Sequence, residues 1–406
     1  MNQRILLSTP HMSGNEKKYI DEAFESNWIA PLGPNVDSFE KEIATYNGVK
    51  GASVTSSGTA AIHLALALLG VCKDDAVFVS SFTFVASANP VLYLGAEPVF
   101  IDSEEDTWNM SPEALEVALA EAKSSNRMPK AIVVVNLYGQ SAKMKELTDI
   151  AQAYNVPIVE DAAESLGSTY KNKKSGTFGT IGIYSFNGNK IITTSGGGAL
   201  VSDDDELLVR AKFLATQAKD DAPYYQHSQV GYNYRMSNVV AGIGRAQLEV
   251  LDERVNKRRE VFSIYQQELG GIQGVQFMPE MNETKSNRWL TTLTLDWEKY
   301  NILPQEFISK MDAVGIETRL LWKPLHLQPL FADSKFYKDP HSQIPVSEKL
   351  FDAGLCLPSG TNMAEFDQLR VITEMKKILN SSRKHVHVFS WNKKIGSNSK
   401  LKHKIN

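Results

Sequence analysis

Between residues 51 and 202 short apolar runs alternate with longer stretches of helical spacing, and that alternation narrows the fold more than anything else in the chain. Residues 76–80, 98–101, 131–135, 156–159, 181–186 and 199–202 read as strands. Residues 60–69, 111–123, 144–154 and 206–217 read as helices, and 83–92 as the start of another. Strands that are apolar throughout, separated by helices, form a mostly parallel sheet covered on both faces. Ligands of such sheets bind beyond the carboxyl ends of the strands. Ser56 to Thr59, Ser81 to Phe84, Asp161 and Lys190 all follow apolar strands, so one edge of the sheet is the expected place for chemistry.

The remainder is organised around this core. Helical spacing at 15–25 and 36–46 flanks an aromatic and proline-rich loop, Trp28-Ile29-Ala30-Pro31-Leu32-Gly33-Pro34. That loop either packs over the core or walls a cleft. A long helix over 239–269 is expected to lead into a smaller α/β domain, with extended segments at 288–295 and 315–321 and a helix at 304–314. The expected division is a large domain over 1–250 with the N-terminal segment, a small C-terminal domain over 251–380, and a tail over 381–406. Residues 383–406 hold seven Lys or Arg and no Asp or Glu, which leaves −11 of the formal −4 net charge on the rest. Such a composition favours disorder.

Several functions are set aside by composition. The net charge gives no general attraction to nucleic acid or anionic membrane. Cys72 and Cys356 are too few for a disulfide framework or a thiolate metal site, and both are expected to be inert core residues. No metal site is expected. No apolar stretch reaches spanning length, and residues 1–5 lack the apolar core of a signal peptide. A cytoplasmic enzyme is the default reading.

Chemistry centres on Lys190. It sits between the 181–186 run and the glycine triplet Gly196–Gly198, with small polar residues on both sides. A lysine facing a cleft can lose its proton by desolvation and attack a carbonyl. Asp161 ends a strand upstream, and Ser57, Gly58 and Thr59 form a strand–turn–helix start able to hold a phosphate. Ser57 and Thr59 would equally serve as plain N-caps, Asp161 as a strand-end acid, Phe84 as core and Asn233 as a turn former. Lysine, acid, phosphate cradle and aromatic wall together meet the needs of pyridoxal 5′-phosphate. Ser185 would join the phosphate grip.

Ser185-Phe-x-x-x-Lys190 followed by Ser195-Gly-Gly-Gly198 resembles the pattern of the DegT/DnrJ/EryC1/StrS sugar aminotransferases. Ser57-Gly-Thr59, Thr83-Phe-Val-Ala86 and Glu160-Asp-Ala-Ala-Glu164 resemble it too, and the likeness covers roughly residues 5–380. It implies the fold type I, aspartate aminotransferase-like architecture: α/β, a large domain with a mostly parallel sheet and a smaller C-terminal α/β domain. It also implies a homodimer with shared active sites. Lys190 is then the lysine that binds the cofactor, Asp161 contacts its ring nitrogen and Phe84 stacks on the ring. Glu164 lies beside the ring, and Asn233 is lent to the neighbouring subunit's phosphate.

Within the family, Trp28 to Gly33, Tyr232 to Arg235, Ser286 to Leu290, Glu317 to His326 and Leu357 to Gly360 are similar to the C4 aminotransferases of bacillosamine synthesis. That similarity implies L-glutamate as donor, a pyridoxamine 5′-phosphate form and a UDP-4-keto sugar as acceptor. Trp28, Ile29, Ala30, Arg319 and His326 are the implied substrate contacts. Arg319 and His326 would equally be structural. A GDP-perosamine synthase, a pseudaminic-pathway C4 aminotransferase and a non-catalytic protein that only retains the cofactor stay open.

Overall fold

The structure, a computed structural model, describes residues 4–384. Seven strands build the large sheet with the chain order β1 Gly51–Thr55, β2 Ala76–Ser80, β3 Glu97–Ile101, β4 Ala131–Val135, β5 Ile158–Asp161, β6 Ile181–Ser185 and β7 Gly198–Ser202. In space they run β1-β7-β6-β5-β4-β2-β3, with the short strand Phe336–Tyr337 added at the β3 edge. Only β7 opposes its neighbours. The pairs β6–β5, β5–β4, β4–β2, β2–β3 and the edge pair are parallel. The carboxyl ends of β1, β2, β4, β5 and β6 therefore share one edge of the sheet.

Continuous apolar strands are explained by burial on two faces. Val77, Val79, Val133 and Val159 pack with Ile62 and Leu66 of the helix Gly58–Leu68. Their alternate neighbours Phe78, Ile132, Val134 and Ile158 pack with Leu115 and Leu119 of Pro112–Ser124 and Leu147 of Met144–Ala153. Successive strand side chains point to opposite faces, so each residue finds its own helix layer. Full burial of each such side chain stabilises the fold by about 1.5–3 kcal/mol.

The smaller unit has a four-stranded sheet in the order Val275–Phe277, Thr291–Leu295, Gly354–Leu357, Arg319–Leu320, antiparallel throughout. Its core takes Val261 and Tyr265 from the helix Leu251–Leu269, Phe307 and Met311 from Pro304–Ala313, and Val371 and Met375 from Glu365–Lys384. Ile5 belongs to that core as well, bridged to Ile316, so the first described residues pack with the smaller unit although they precede the larger one. A seam of Leu7, Phe82, Tyr138, Trp289, Leu321 and Cys356 joins the two units.

Four expectations are corrected. The stretch 83–92 forms only the 3₁₀ turn Val85–Ser87 and the short helix Asn89–Tyr93, because Pro90 can sit only in a helix's first turn. The helix expected over 239–269 is two, Asn238–Glu249 and Leu251–Leu269, broken where Val250 leaves helical geometry (φ −109°, ψ 8°). The break turns the chain from the larger unit towards the core of the smaller. Cys356 is buried but Cys72 is exposed. It lies in the turn after Gly58–Leu68, where its N–H and thiol both donate to Asp75 Oδ2 at 2.9 and 3.3 Å. The last helix runs to Lys384, past the expected tail boundary at 381. The basic residues from 385 lie outside the described residues.

Candidate active site

At the carboxyl edge of the sheet, the loops after β1, β2, β5 and β6 enclose a cleft of about 160 Å³. Ser57, Gly58, Thr59, Phe84, Asp161, Glu164, Ser185 and Lys190 all line it. One end of the cleft is the amino terminus of Gly58–Leu68. Ser57 caps that helix in extended geometry, its Oγ accepting from Ala60 N at 3.0 Å. The first-turn N–H groups of Gly58 and Thr59 have no intrahelical partner, and the helix dipole there favours an anion. Gly198 makes the approach of β7 possible, since a Cβ on it would fall 2.5 Å from Gly58 N. Capping and anion holding are thus compatible roles for the same turn.

The other end is acidic. Asp161 is buried, accepting from Ser87 Oγ at 2.7 Å and from Ala163 N at 3.1 Å. Burial pushes its carboxyl above the usual range, against the pull of Ser87, Ala163 N and the Lys190 charge. Glu164 is buried too, 3.6 Å from Lys190 Nζ, and accepts from Tyr138 N at 2.8 Å. Burial raises its pKa as well, opposed by Lys190. Two buried acids share one lysine, a set that leaves room for a second cation. A protonated ring nitrogen is such a cation and a phosphate suits the helix end, so these residues fit pyridoxal phosphate.

Lys190 occupies the turn after β6, its N–H bonded to Asn187 O at 3.0 Å. Its amine is mostly buried and sits 4.3 Å from the centroid of the Trp289 ring. Phe84 stands at the mouth, 49% exposed, with its ring 5.2 Å from that of Trp322.

The remaining candidates lie outside this cleft. Trp28 and Ile29 are exposed, and their loop is held by Asn238, which donates to Trp28 O and Ala30 O at 2.7 and 2.9 Å. Arg319 is on the surface, paired with Glu317 at 2.6 Å. His326 has both ring nitrogens engaged, Nδ1 with Ser81 Oγ at 2.6 Å and Nε2 with Glu348 at 3.1 Å, and it stacks on Phe336. Asn233 is exposed, bridged to Thr216. Ser87 and Tyr138 escaped sequence reasoning, and Trp289 entered it only as part of the stretch Ser286 to Leu290, with no role given. Ser87 lies three residues beyond Phe84.

Fold and site together define a pyridoxal phosphate-dependent enzyme of fold type I. The model of the DegT/DnrJ/EryC1/StrS aminotransferase family matches residues 10–376. The chain is 58% identical over 372 residues to EpsN of Bacillus subtilis (strain 168), by name a pyridoxal phosphate-dependent aminotransferase, covering 92% of this chain and 95% of that one. It is 37% identical over 377 residues to the GDP-perosamine synthase of Caulobacter vibrioides, covering 93% and 98%. The crystal structure of a DegT DnrJ EryC1 StrS aminotransferase from Brucella abortus matches with TM-score 0.82 at 30% identity, over 90% of this chain and 95% of that chain. The chain belongs to the DegT/DnrJ/EryC1/StrS aminotransferase family. Its cofactor is pyridoxal 5′-phosphate. Among the described residues no helix is long and apolar enough to cross a membrane, and no cluster of residues suits a metal.

Proposed function

We propose that the protein transfers the amino group of L-glutamate to C4 of a UDP-linked 2-acetamido-4-keto-2,6-dideoxyhexose. The product would be UDP-4-amino-4,6-dideoxy-N-acetylglucosamine, a precursor for surface or protein-linked glycans. The observation that carries amine transfer is the convergence of Lys190, Asp161, Glu164 and the Gly58–Leu68 helix end on one cleft. The sugar rests on the resemblance of the stretches around Trp28, Tyr232, Trp289 and Trp322. A cytoplasmic site of action goes with that reading.

When bound, pyridoxal phosphate supplies an aldehyde carbon and a ring that draws electrons from the carbon next to the amine. The residues of this chain do the rest. Lys190 Nζ takes the proton from the glutamate α-carbon and later returns one to C4 of the sugar. Asp161 holds the proton on the ring nitrogen. Gly58 and Thr59 N–H and the Ser185 hydroxyl hold the phosphate, with the Ser57 turn fixing their position. Phe84 covers the ring, and Glu164 orients its edge.

The 37% identity to a GDP-perosamine synthase supports a second reading, in which a GDP-linked 4-keto sugar is the acceptor. A panel of UDP-, GDP- and dTDP-linked 4-keto sugars with L-glutamate, followed by product NMR, distinguishes them. We expect turnover with the UDP-2-acetamido sugar at least about tenfold above the others, the scale on which pocket contacts discriminate. Preference for the GDP sugar would replace the first reading by the second. No amine transfer to any of them would leave a protein that only binds the cofactor.

The proposal includes a homodimer in which Asn233 serves the partner's phosphate. Its exposure, outside its own chain's cleft, supports this. Inactive Lys190→Ala and Asn233→Ala chains, mixed under conditions of subunit exchange, should recover up to about a quarter of wild-type activity. Half the dimers are then mixed, and each holds one intact site. Exchange without recovery would remove the shared site.

A further inference from the structure

A closed ring of hydrogen bonds lies immediately behind the site lysine. Arg258, on the helix that enters the smaller unit, donates through Nη1 to Trp289 O at 2.9 Å and through Nη2 to Ser8 Oγ at 2.8 Å. Ser8 Oγ in turn donates to Asn189 O at 2.9 Å. Trp289 Nε1 donates to the same oxygen at 2.7 Å. Two stretches remote in sequence, those of Ser8 and Trp289, thus meet on one carbonyl, that of the residue preceding Lys190, and Arg258 from a third ties the two together. Arg258 also donates to Ser359 O. It is fully buried and has no acid partner among the described residues. Burial draws its pKa down to about 9, so it remains charged at neutral pH.

A buried guanidinium without a carboxylate is costly to keep. Its return here is geometric. A planar fork can bond two acceptors in fixed relative positions, which a lysine ammonium does not reproduce. The two acceptors lead by separate routes to Asn189 O, while the Trp289 ring sits 4.3 Å from Lys190 Nζ. Peptide position and side-chain position of the lysine are set by the same tryptophan. We propose that Arg258, Ser8 and Trp289 are positioning residues that hold the 189–190 peptide so that Lys190 meets the cofactor's aldehyde carbon in reactive geometry. Trp289 and Ser8 touch the carbonyl that precedes the lysine, Trp289 also faces its amine, and Arg258 acts one step back by holding both of them.

This inference rests on the reading of Lys190 as the cofactor-binding lysine, and its test separates the two. Cofactor-free full-length protein is mixed with pyridoxal phosphate, and covalent capture is followed by absorbance and by borohydride fixation at residue 190. In capture Nζ adds to the aldehyde carbon and water leaves. Pyridoxamine phosphate has no aldehyde, so its affinity reports an intact pocket without the lysine's attack. Trp289→Phe, Arg258→Lys and Ser8→Ala should slow capture about ten- to a hundredfold, the usual consequence of slight misplacement. Affinity for pyridoxamine phosphate should stay within about twofold, a change of only about 0.4 kcal/mol. Should Arg258→Lys fail to fold, Ser8→Ala removes one hydroxyl at a half-buried site and carries the test. Capture at the wild-type rate in folded variants overturns the inference, as does a loss of pyridoxamine phosphate affinity in step with capture. Failure of borohydride to fix cofactor at Lys190 in the wild type would instead overturn the proposed function.

Discussion

Lys190→Ala should lose transamination by about four orders of magnitude or more, while the fold and pyridoxamine phosphate binding survive. Covalent capture of a carbonyl and proton transfer at carbon both need an amine at this position, and positioned proton transfer alone contributes about 10²–10⁴-fold. No neighbour can stand in. Trp289 offers only its ring to this side of the cleft, with its N–H committed to Asn189 O. The side chains that reach the lysine are acids, and an acid cannot attack the aldehyde as an amine does. The fold should tolerate the change, because the contacts of Lys190 Nζ are Glu164 at 3.6 Å and the indole face. Removing that cation strands Glu164, whose carboxyl burial already pushes up, so the variant will hold Glu164 protonated to higher pH. Single-turnover kinetics with glutamate and borohydride fixation measure the outcome. A variant that turns over at a tenth of the wild-type rate would leave Lys190 outside the chemistry.

What the chain discloses before folding is what its local grammar encodes. The cleft residues on β1, β2, β5 and β6 could be placed on one edge because each follows an apolar run, and a parallel sheet brings such ends together. Period-2 burial within those runs, Val77 and Val79 on one face and Phe78 on the other, is equally local. The groups that orient the lysine are of another kind. Trp289 and Ser8 meet on Asn189 O across separations of 100 and 181 residues in the chain, Arg258 reaches it only through those two, and none of them sits in a turn or cap pattern that announces the meeting. Ser87 reaches Asp161 across 74 residues. Arg319 and His326 show the converse. Their residue types suit a nucleotide, and the fold adds partners the sequence did not announce, Glu317 beside a still exposed Arg319 and Ser81 with Glu348 around His326. Side-chain type proposes a contact, and only the folded neighbourhood decides whether the group is free to make it.

Asp161→Asn should produce two effects of opposite sign. The carboxyl is raised by burial in the cofactor-free protein, so the folded state binds its proton more tightly than the unfolded one does. Its contribution to stability is therefore best at low pH and is lost as pH rises from the ordinary aspartate value of 3.8 through the raised folded pKa. Asparagine carries no such charge. It can still accept from Ala163 N and bond Ser87 Oγ, so the cofactor-free variant should be the more stable of the two above that window and equal to it below. With cofactor present, a cationic ring nitrogen beside Asp161 favours the carboxylate and should flatten the wild type's pH dependence. An amide gives the ring nitrogen no countercharge. The charge-assisted hydrogen bond, worth about 1.5–3 kcal/mol, is lost, and with it the proton that lets the ring accept electrons. Turnover should fall about 10²–10⁴-fold, the scale of a positioned acid–base group. Thermal melts across pH with and without cofactor, paired with glutamate half-reaction rates, read both effects. Full activity in Asp161→Asn would move the task of holding that proton to Glu164, the other buried carboxyl of the cleft.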